Sequence, residues 1–277
     1  MDEENRLQHL FWFDSGCILD YQFYSDIVCF DSTYKTNCYE KPFVIFVGTN
    51  SHRNTVLFGC ALLGHEREDA YMWLLKVFLE CHDNKRPKCV ITDGDGAMRK
   101  AVKEVFVGVH HRLCSWHLDQ NVMHNSKDAL FLDRYRELAQ LNCTRPEFDV
   151  EWVKLFDDFN VDKEMVWVTD LYAKRRLWAY SYLRGNFFAG MTTTQRSEGI
   201  NSYVKKFASE HMKMCDLIDR FDRAMVAWRQ KYYQQEYIAR YTVPVLRTHL
   251  PSLERHACDV FTPTNLETIL SMICREK

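Results

Sequence analysis

The sequence predicts a mixed α/β fold, and three observations carry that prediction. Three short β-rich runs follow one another between polar turns over residues 26–63. Helically spaced apolar residues then alternate with two further short strand patterns up to about residue 114. Beyond about residue 118 the apolar spacing turns helical and stays so.

The first strand is predicted over 26–33, through Ile27, Val28, Cys29 and Phe30 to Asp31. A second covers 42–49 (PFVIFVGT) and a third 55–63, with the polar stretch 50–54 between them as a turn. Short turns between consecutive strands predict an antiparallel meander. The spacing predicts a helix over 68–81, with Tyr71, Leu74, Leu75, Phe78 and Leu79 on one face. A buried strand over 88–93 stops at Gly94, a helix follows over 97–105, and a last short strand covers 110–114. The order is βββαβαβ. Residues 118–188 carry helical spacing rich in Leu, Trp, Arg and Asp, as in Trp152, Val153, Leu155, Phe156 and Phe159. A polar stretch, 190–197, then leads into one long helix from about 198 to 237. There is no internal repeat. The expected segments are a lead-in over 1–25, an α/β core over 26–118, a helical insertion over 119–190, a late helix over 191–240 and a tail over 241–277.

Composition excludes several classes. The 277 residues carry 36 Lys+Arg against 38 Asp+Glu, a net charge of -2, and 47% are hydrophobic, which is not a disordered chain. No run reaches the roughly 18 to 20 apolar residues of a membrane span, so no membrane partner is expected. The acidic, polar start is not a signal peptide. The 11 cysteines show no CxxC and several lie in apolar runs, as Cys60 does. They read as small buried hydrophobes of a reducing compartment, cytosol or nucleus. The charge balance argues against a domain that holds nucleic acid by bulk charge alone.

The element order is that of an RNase H-like core, and three carboxylates fall where such a core would use them. Asp31 ends the first strand, Asp93 ends the strand after the first helix, and Glu198 opens the late helix. Oxygen ligands of this kind suit Mg²⁺ or Mn²⁺. A pair of such ions about 3.5 to 4 Å apart would activate a water and stabilise a leaving 3′-oxygen. Each residue also has a plainer role: a strand-end turn for Asp31, a turn at Asp93-Gly94, favourable charge at a helix N-terminus for Glu198. Together, in this order, the two readings stand level. A second constellation is Cys114-Ser115-Trp116-His117, a CxxH pair. It supplies two possible zinc ligands of the four a structural site needs. His110, His111, His124 and Cys143 lie nearest without a finger-like spacing, so packing is the preferred role on spacing alone.

Two surfaces are candidate partner sites. Lys174-Arg175-Arg176, Lys205-Lys206, and Arg220, Arg223, Arg229 and Lys231 are basic clusters, with Trp178, Tyr180 and Tyr182 beside the first. Solvated helix faces over core aromatics are the preferred reading, with nucleic-acid contact the alternative. Leu217, Ile218, Phe221, Ala224, Met225 and Trp228 form an apolar stripe, for intramolecular packing or for dimerisation.

Several segments, in order, resemble the Mutator-like (MULE) transposases: FDSTYKTN over 30–37, PFVIFVGTN, LFGCALL, VITDGDGAM, HRLCSWH, and TQRSEGIN over 194–201. More narrowly they resemble the plant far-red-impaired-response family, similar to a domesticated transposase. The resemblance covers residues 10–118 and 192–206 most tightly. It implies an RNase H-like core whose acidic set falls on Asp31, Asp93 and Glu198, holding Mg²⁺ or Mn²⁺ if catalysis survives. It places the family's CxxH on Cys114 and His117, with zinc possible. It implies a nuclear transcription regulator in light signalling, with homo- or heterodimerisation among family members, and an active strand-cleaving transposase as the alternative. Family members usually carry an N-terminal zinc-binding DNA-recognition module and a C-terminal SWIM finger. Neither pattern is found here, the stretch 251–258 resembling the approach to the SWIM region, so DNA contact is expected through modules outside this chain.

Overall fold

The computed structural model describes residues 6–33, 37–206 and 211–275. Tyr34, Lys35 and Thr36 of the first motif, and the side chain of Lys205, lie outside the described residues.

The centre is a mixed six-stranded sheet in the order β1-β4-β3-β2-β5-β6. The strands are β1 (Leu10–Trp12), β2 (Ile27–Thr33), β3 (Phe43–Thr49), β4 (Thr55–Leu62), β5 (Cys89–Thr92) and β6 (His110–Leu113). The meander pairs antiparallel as its short turns predict, and β2, β5 and β6 run parallel. Parallel neighbours need crossovers, supplied by α2 (Glu68–Cys81) and α3 (Gly96–Val105).

The near-continuous apolar runs of β2 to β4 reflect burial on both faces. On one face Val28, Phe30, Val44 and Phe46 pack beneath α2 and α3. On the other, Ile27, Cys29, Ile45 and Val47 pack beneath α9 (Gln195–Lys205) and α10 (Met214–Tyr241). Side chains alternate along a strand, so Asp31 continues the Ile27–Cys29 series and faces α9. Gly48 admits the Phe58 ring, since a Cβ there would sit 2.3 Å from its Cζ.

Three features differ from the sequence expectation. The lead-in forms β1, which pairs with β4, and α1 (Ser15–Tyr24), capped by Asp14 accepting from the Cys17 N–H at 2.9 Å. The expected late helix is two helices, α9 and α10. Between them Met212 is buried and its carbonyl accepts from the Cys38 N–H at 3.0 Å, which fixes the chain onto the loop before β3. The tail forms α11 (Pro251–Val260) and α12 (Pro263–Arg275). Asn265 Nδ2 donates to the Ser51 carbonyl at 2.9 Å, holding α12 on the β3–β4 turn.

Residues 115–183 form α4 (Ser115–Ser126), α5 (Ala129–Gln140), α6 (Arg145–Asp158), α7 (Val166–Ala173), a 3-10 turn at Arg175–Leu177 and α8 (Tyr180–Leu183). They close on their own aromatic core, which includes Phe131, Tyr135, Phe148, Trp152, Phe156 and Trp178. Trp178 is buried and donates Nε1–H to the Leu171 carbonyl at 2.9 Å, which removes it as a base-stacking surface. Among the described residues no helix is long and apolar enough to cross a membrane.

Candidate divalent-cation site

The parallel register of β5 and β6 ends both strands at one edge, Thr92 opposite Leu113. The residues that follow, Asp93 and Cys114, therefore emerge together next to the C-terminal half of β2. Asp95 caps α3 by accepting from the Met98 N–H at 2.7 Å, while Asp93 accepts from the Asp95 N–H at 3.0 Å. The turn role open to Asp93 from sequence is thus realised with one of its oxygens. The Cys114 N–H donates to the Thr92 carbonyl at 2.7 Å, and α4 starts one residue later. That start places His117 in the first turn of α4, over the acidic edge.

Asp31, His117 and Glu198 converge there, one ligand atom of each lying within 4.8 Å of the others. Asp31 is 7% exposed. Its Oδ1 accepts from the Ser32 N–H at 2.8 Å and its Oδ2 lies 3.3 Å from Thr194 Oγ1. Thr194 is fully buried, and its hydroxyl also lies 3.2 Å from Glu198 Oε1 and 3.4 Å from Cys114 Sγ. A hydroxyl has one proton to donate, so Thr194 can be the donor in one of these three contacts at a time. It is the one site residue that sequence reading passed over. It opens the TQRSEGIN segment over 194–201, but a threonine carries no metal or acid–base signal by itself.

The electrostatics follow from burial. Desolvation, then the neighbouring Asp93 charge, push the Asp31 carboxyl up to about 6. Burial likewise raises Asp93, against the Asp95 N–H and His117. His117 is raised to about 9, first by its interaction with the Cys114 thiol and further by Asp31 and Asp93, against burial. Burial alone would raise the Cys114 thiol, but His117 and Thr194 outweigh it and hold it below its usual value. The Thr194 N–H donates to Cys114 Sγ at 3.3 Å. A protonated His117 therefore stands among two carboxylates and a thiol of lowered pKa.

The donor set fits a divalent cation. The carboxylates repel one another in a poorly solvated site, and buried Nδ1 of His117 has no hydrogen-bond partner of sound geometry. Two carboxylate oxygens with an imidazole nitrogen suit Mn²⁺ or another transition metal better than Mg²⁺, which prefers oxygen alone. Asp93 lies electrostatically close but outside the converging three. Cys114, paired with His117 in the zinc assignment, is also outside it.

The remaining candidates separate. On α10, Leu217, Phe221, Ala224 and Met225 are buried against the sheet, with Trp228 packed at their margin. The stripe thus has an intramolecular partner. Arg175 turns into the helical insertion, 3.4 Å from Asp149 and 3.0 Å from the Tyr182 hydroxyl. Arg229 pairs with Asp14.

Comparison with known proteins gives a consistent result. The model of the MULE transposase domain matches residues 27–121. Protein FAR1-RELATED SEQUENCE 5 of Arabidopsis thaliana is 31% identical over 265 residues, 94% of this chain and 33% of that protein. Protein FAR1-RELATED SEQUENCE 4 is 27% identical, covering 98% of this chain and 38% of its own length. Protein FAR-RED IMPAIRED RESPONSE 1 is 28% identical, covering 95% and 32%. The latter two are also from Arabidopsis thaliana. The chain thus spans about a third of the length of the curated relatives it matches.

Proposed function

Since the chain belongs to the FAR1-related family built on a MULE transposase domain, we propose that it is the transposase-derived part of a nuclear regulator of transcription in plant light signalling. The similarity to FAR1-RELATED SEQUENCE 5 across 94% of the chain carries this reading. Its light-signalling component rests on the name of FAR-RED IMPAIRED RESPONSE 1. The strand order, antiparallel then parallel, supports an RNase H-like ancestry for the sheet.

In this reading the acidic edge keeps a cation site after strand cleavage has been lost. Two-metal cleavage needs ions about 3.5 to 4 Å apart with ligands for each. Among the described residues one ligand group converges, and it contains an imidazole. That is a donor set for one cation. Asp31, Glu198 and His117 would hold it, and Asp93 would balance its charge from outside. A bound cation would supply positive charge that fixes α4 and α9 against the end of β2. His117 must lose its proton to become a ligand, so binding is expected to release protons and weaken as pH falls.

The test has two parts. The chain, fused to a heterologous DNA-binding domain in plant protoplasts, is expected to enter the nucleus and change reporter expression at least threefold. Exclusion from the nucleus with an unchanged reporter would sink the proposal. The second reading, metal-dependent strand cleavage, is favoured by the persistence of Asp31, Asp93 and Glu198 together. Nicking of terminal-repeat DNA with Mn²⁺ by the wild type, lost in Asp93→Asn, would establish it in place of a non-enzymatic regulator. Zinc held by Cys114 and His117 competes for the same histidine. Equal zinc content in wild type and Cys114→Ser would remove that assignment.

A further inference from the structure

The insertion and the sheet domain meet along a groove of about 750 Å³ whose lining is strongly basic. One wall is α3 and the turn into β6, contributing Arg99, Lys100 and Lys103. The other is the end of α7 with the 3-10 turn, contributing Lys174 and Arg176. The only carboxylate in the lining is Asp170, which pairs with Lys174. Five fixed cations against one anion is a local excess in a chain whose net charge is -2. Lys100 pairs with Glu68 at 3.1 Å, but no ion pair or side-chain hydrogen bond engages Arg99, Lys103 or Arg176 among the described residues. Nη1 of Arg99 is buried and unpartnered. That nitrogen is a hydrogen-bond donor with no acceptor among the described residues, which an anion in the groove would supply.

We propose that this groove binds the phosphodiester backbone of nucleic acid. Three properties favour a polymer backbone over a compact anion. The cations are spread along two walls from different elements instead of converging on one point. Arg99 and Lys103 lie about one helical turn apart on α3, roughly 6 Å, so they present charge as a row. Along α3 the lining begins at Arg99, six residues after Asp93 in the chain, and it reaches His110, at the end of β6 opposite Leu113. Nonspecific backbone binding depends on such rows, because each phosphate neutralised by Lys or Arg releases counterions. The inference goes beyond the regulator reading by giving this chain its own contact with nucleic acid. The sequence offers nucleic-acid contact at Lys174-Arg175-Arg176 only as an alternative and without Arg99 and Lys103, which line one groove with Lys174 and Arg176 only in the fold, while Arg175 between them faces away.

The test uses the purified chain, a labelled duplex of random sequence, and fluorescence anisotropy between about 50 and 200 mM salt. Wild type is expected to bind with a linear log K against log salt. In Lys103→Gln/Arg176→Gln binding is expected to weaken at least tenfold at the lowest salt, and the slope to fall by about 2. Lys154→Gln, which removes a surface charge elsewhere on the insertion, is expected to stay within twofold. Circular dichroism melting checks that each variant folds. If the double variant does not, Lys103→Gln alone carries the test, with a slope loss of about 1. The proposal is overturned if the double variant binds within twofold of wild type, or if Lys154→Gln loses as much. It is also overturned if inorganic tripolyphosphate binds the wild type and the duplex does not. No outcome passes through transcription, so failure here leaves the regulator proposal standing and the reverse holds too.

Discussion

The two charged regions flanking α3 solve opposite problems. At the acidic edge, Asp31 is 7% exposed and its carboxyl is pushed up to about 6. In the groove, Lys100 keeps 69% of its side chain exposed. Water screens charges more in the second place than in the first, where Asp31 is buried and His117 and Glu198 are half-buried, so a single charge has different leverage in each. A buried cluster alters its own protonation and the stability of the fold. An exposed row leaves the fold almost untouched and acts on what approaches it. The acidic edge thus fits the proposed single small ion, and the groove the proposed long polyanion.

The largest effect that sharpens this contrast is on cation binding. Mn²⁺ at about 100 times its dissociation constant should stabilise the wild type by about 2.7 kcal/mol. Glu198→Gln and His117→Ala should each lose most of that gain, while Lys103→Gln should keep it. Thermal unfolding with and without Mn²⁺ measures this, and an equal gain in all four proteins would remove the site from the acidic edge.

Next comes the pH dependence of the chelated protein. The folded Asp31 carboxyl, at about 6, lies above its ordinary 3.8. Between those values the folded state holds a proton that the unfolded state has lost, so stability falls as pH rises from about 4 to 6 and is level above. The penalty at pH 7 is on the order of 1–3 kcal/mol. Asp31→Asn removes it: in EDTA the variant should be more stable than wild type at pH 7, with the difference gone below pH 4. Urea unfolding across that range decides, and a wild type as stable as the variant at pH 7 would show that Asp31 is well solvated.

Most of the sheet was legible in the sequence because β-branched and aromatic runs between polar turns leave few alternatives. The helix Glu68–Cys81 was placed to the residue by its apolar face. Leu10–Trp12 was not, since a three-residue strand is defined by pairing with β4 and carries no period of its own. The break before Met214 was hidden for a related reason. No Gly or Pro stands between Lys205 and Met214, and among the described residues the tertiary bond from Cys38 to Met212 marks it. Asp93 was legible as a strand-end acid and Glu198 as an acid of a helix's first turn, whereas Asp31, expected to end the first strand, lies two residues inside β2 opposite Ile45. The place of His117 was half legible: parallel strands joined by a crossover helix end on one edge, which brings the turn after β6 beside the turn after β5. The role of Thr194 needed coordinates, because its partners Asp31 and Cys114 lie 163 and 80 residues away.

The smallest effect separates the two regions most cleanly. Glu68 pairs with Lys100 at the rim of the groove, both side chains being well exposed. Exposed ion pairs contribute about 0–1 kcal/mol, so Glu68→Gln should move the unfolding free energy by less than about 0.5 kcal/mol at any pH between 4 and 8. Yet Glu68 neutralises one of the groove's cations, and its removal should tighten duplex binding about two- to fivefold at low salt while leaving Mn²⁺ stabilisation unchanged. A variant that binds duplex more weakly, or that alters the response to Mn²⁺, would mean the groove and the acidic edge are one electrostatic unit. Unchanged stability with tighter binding would show that a charge 42% exposed acts on the partner and not on the fold.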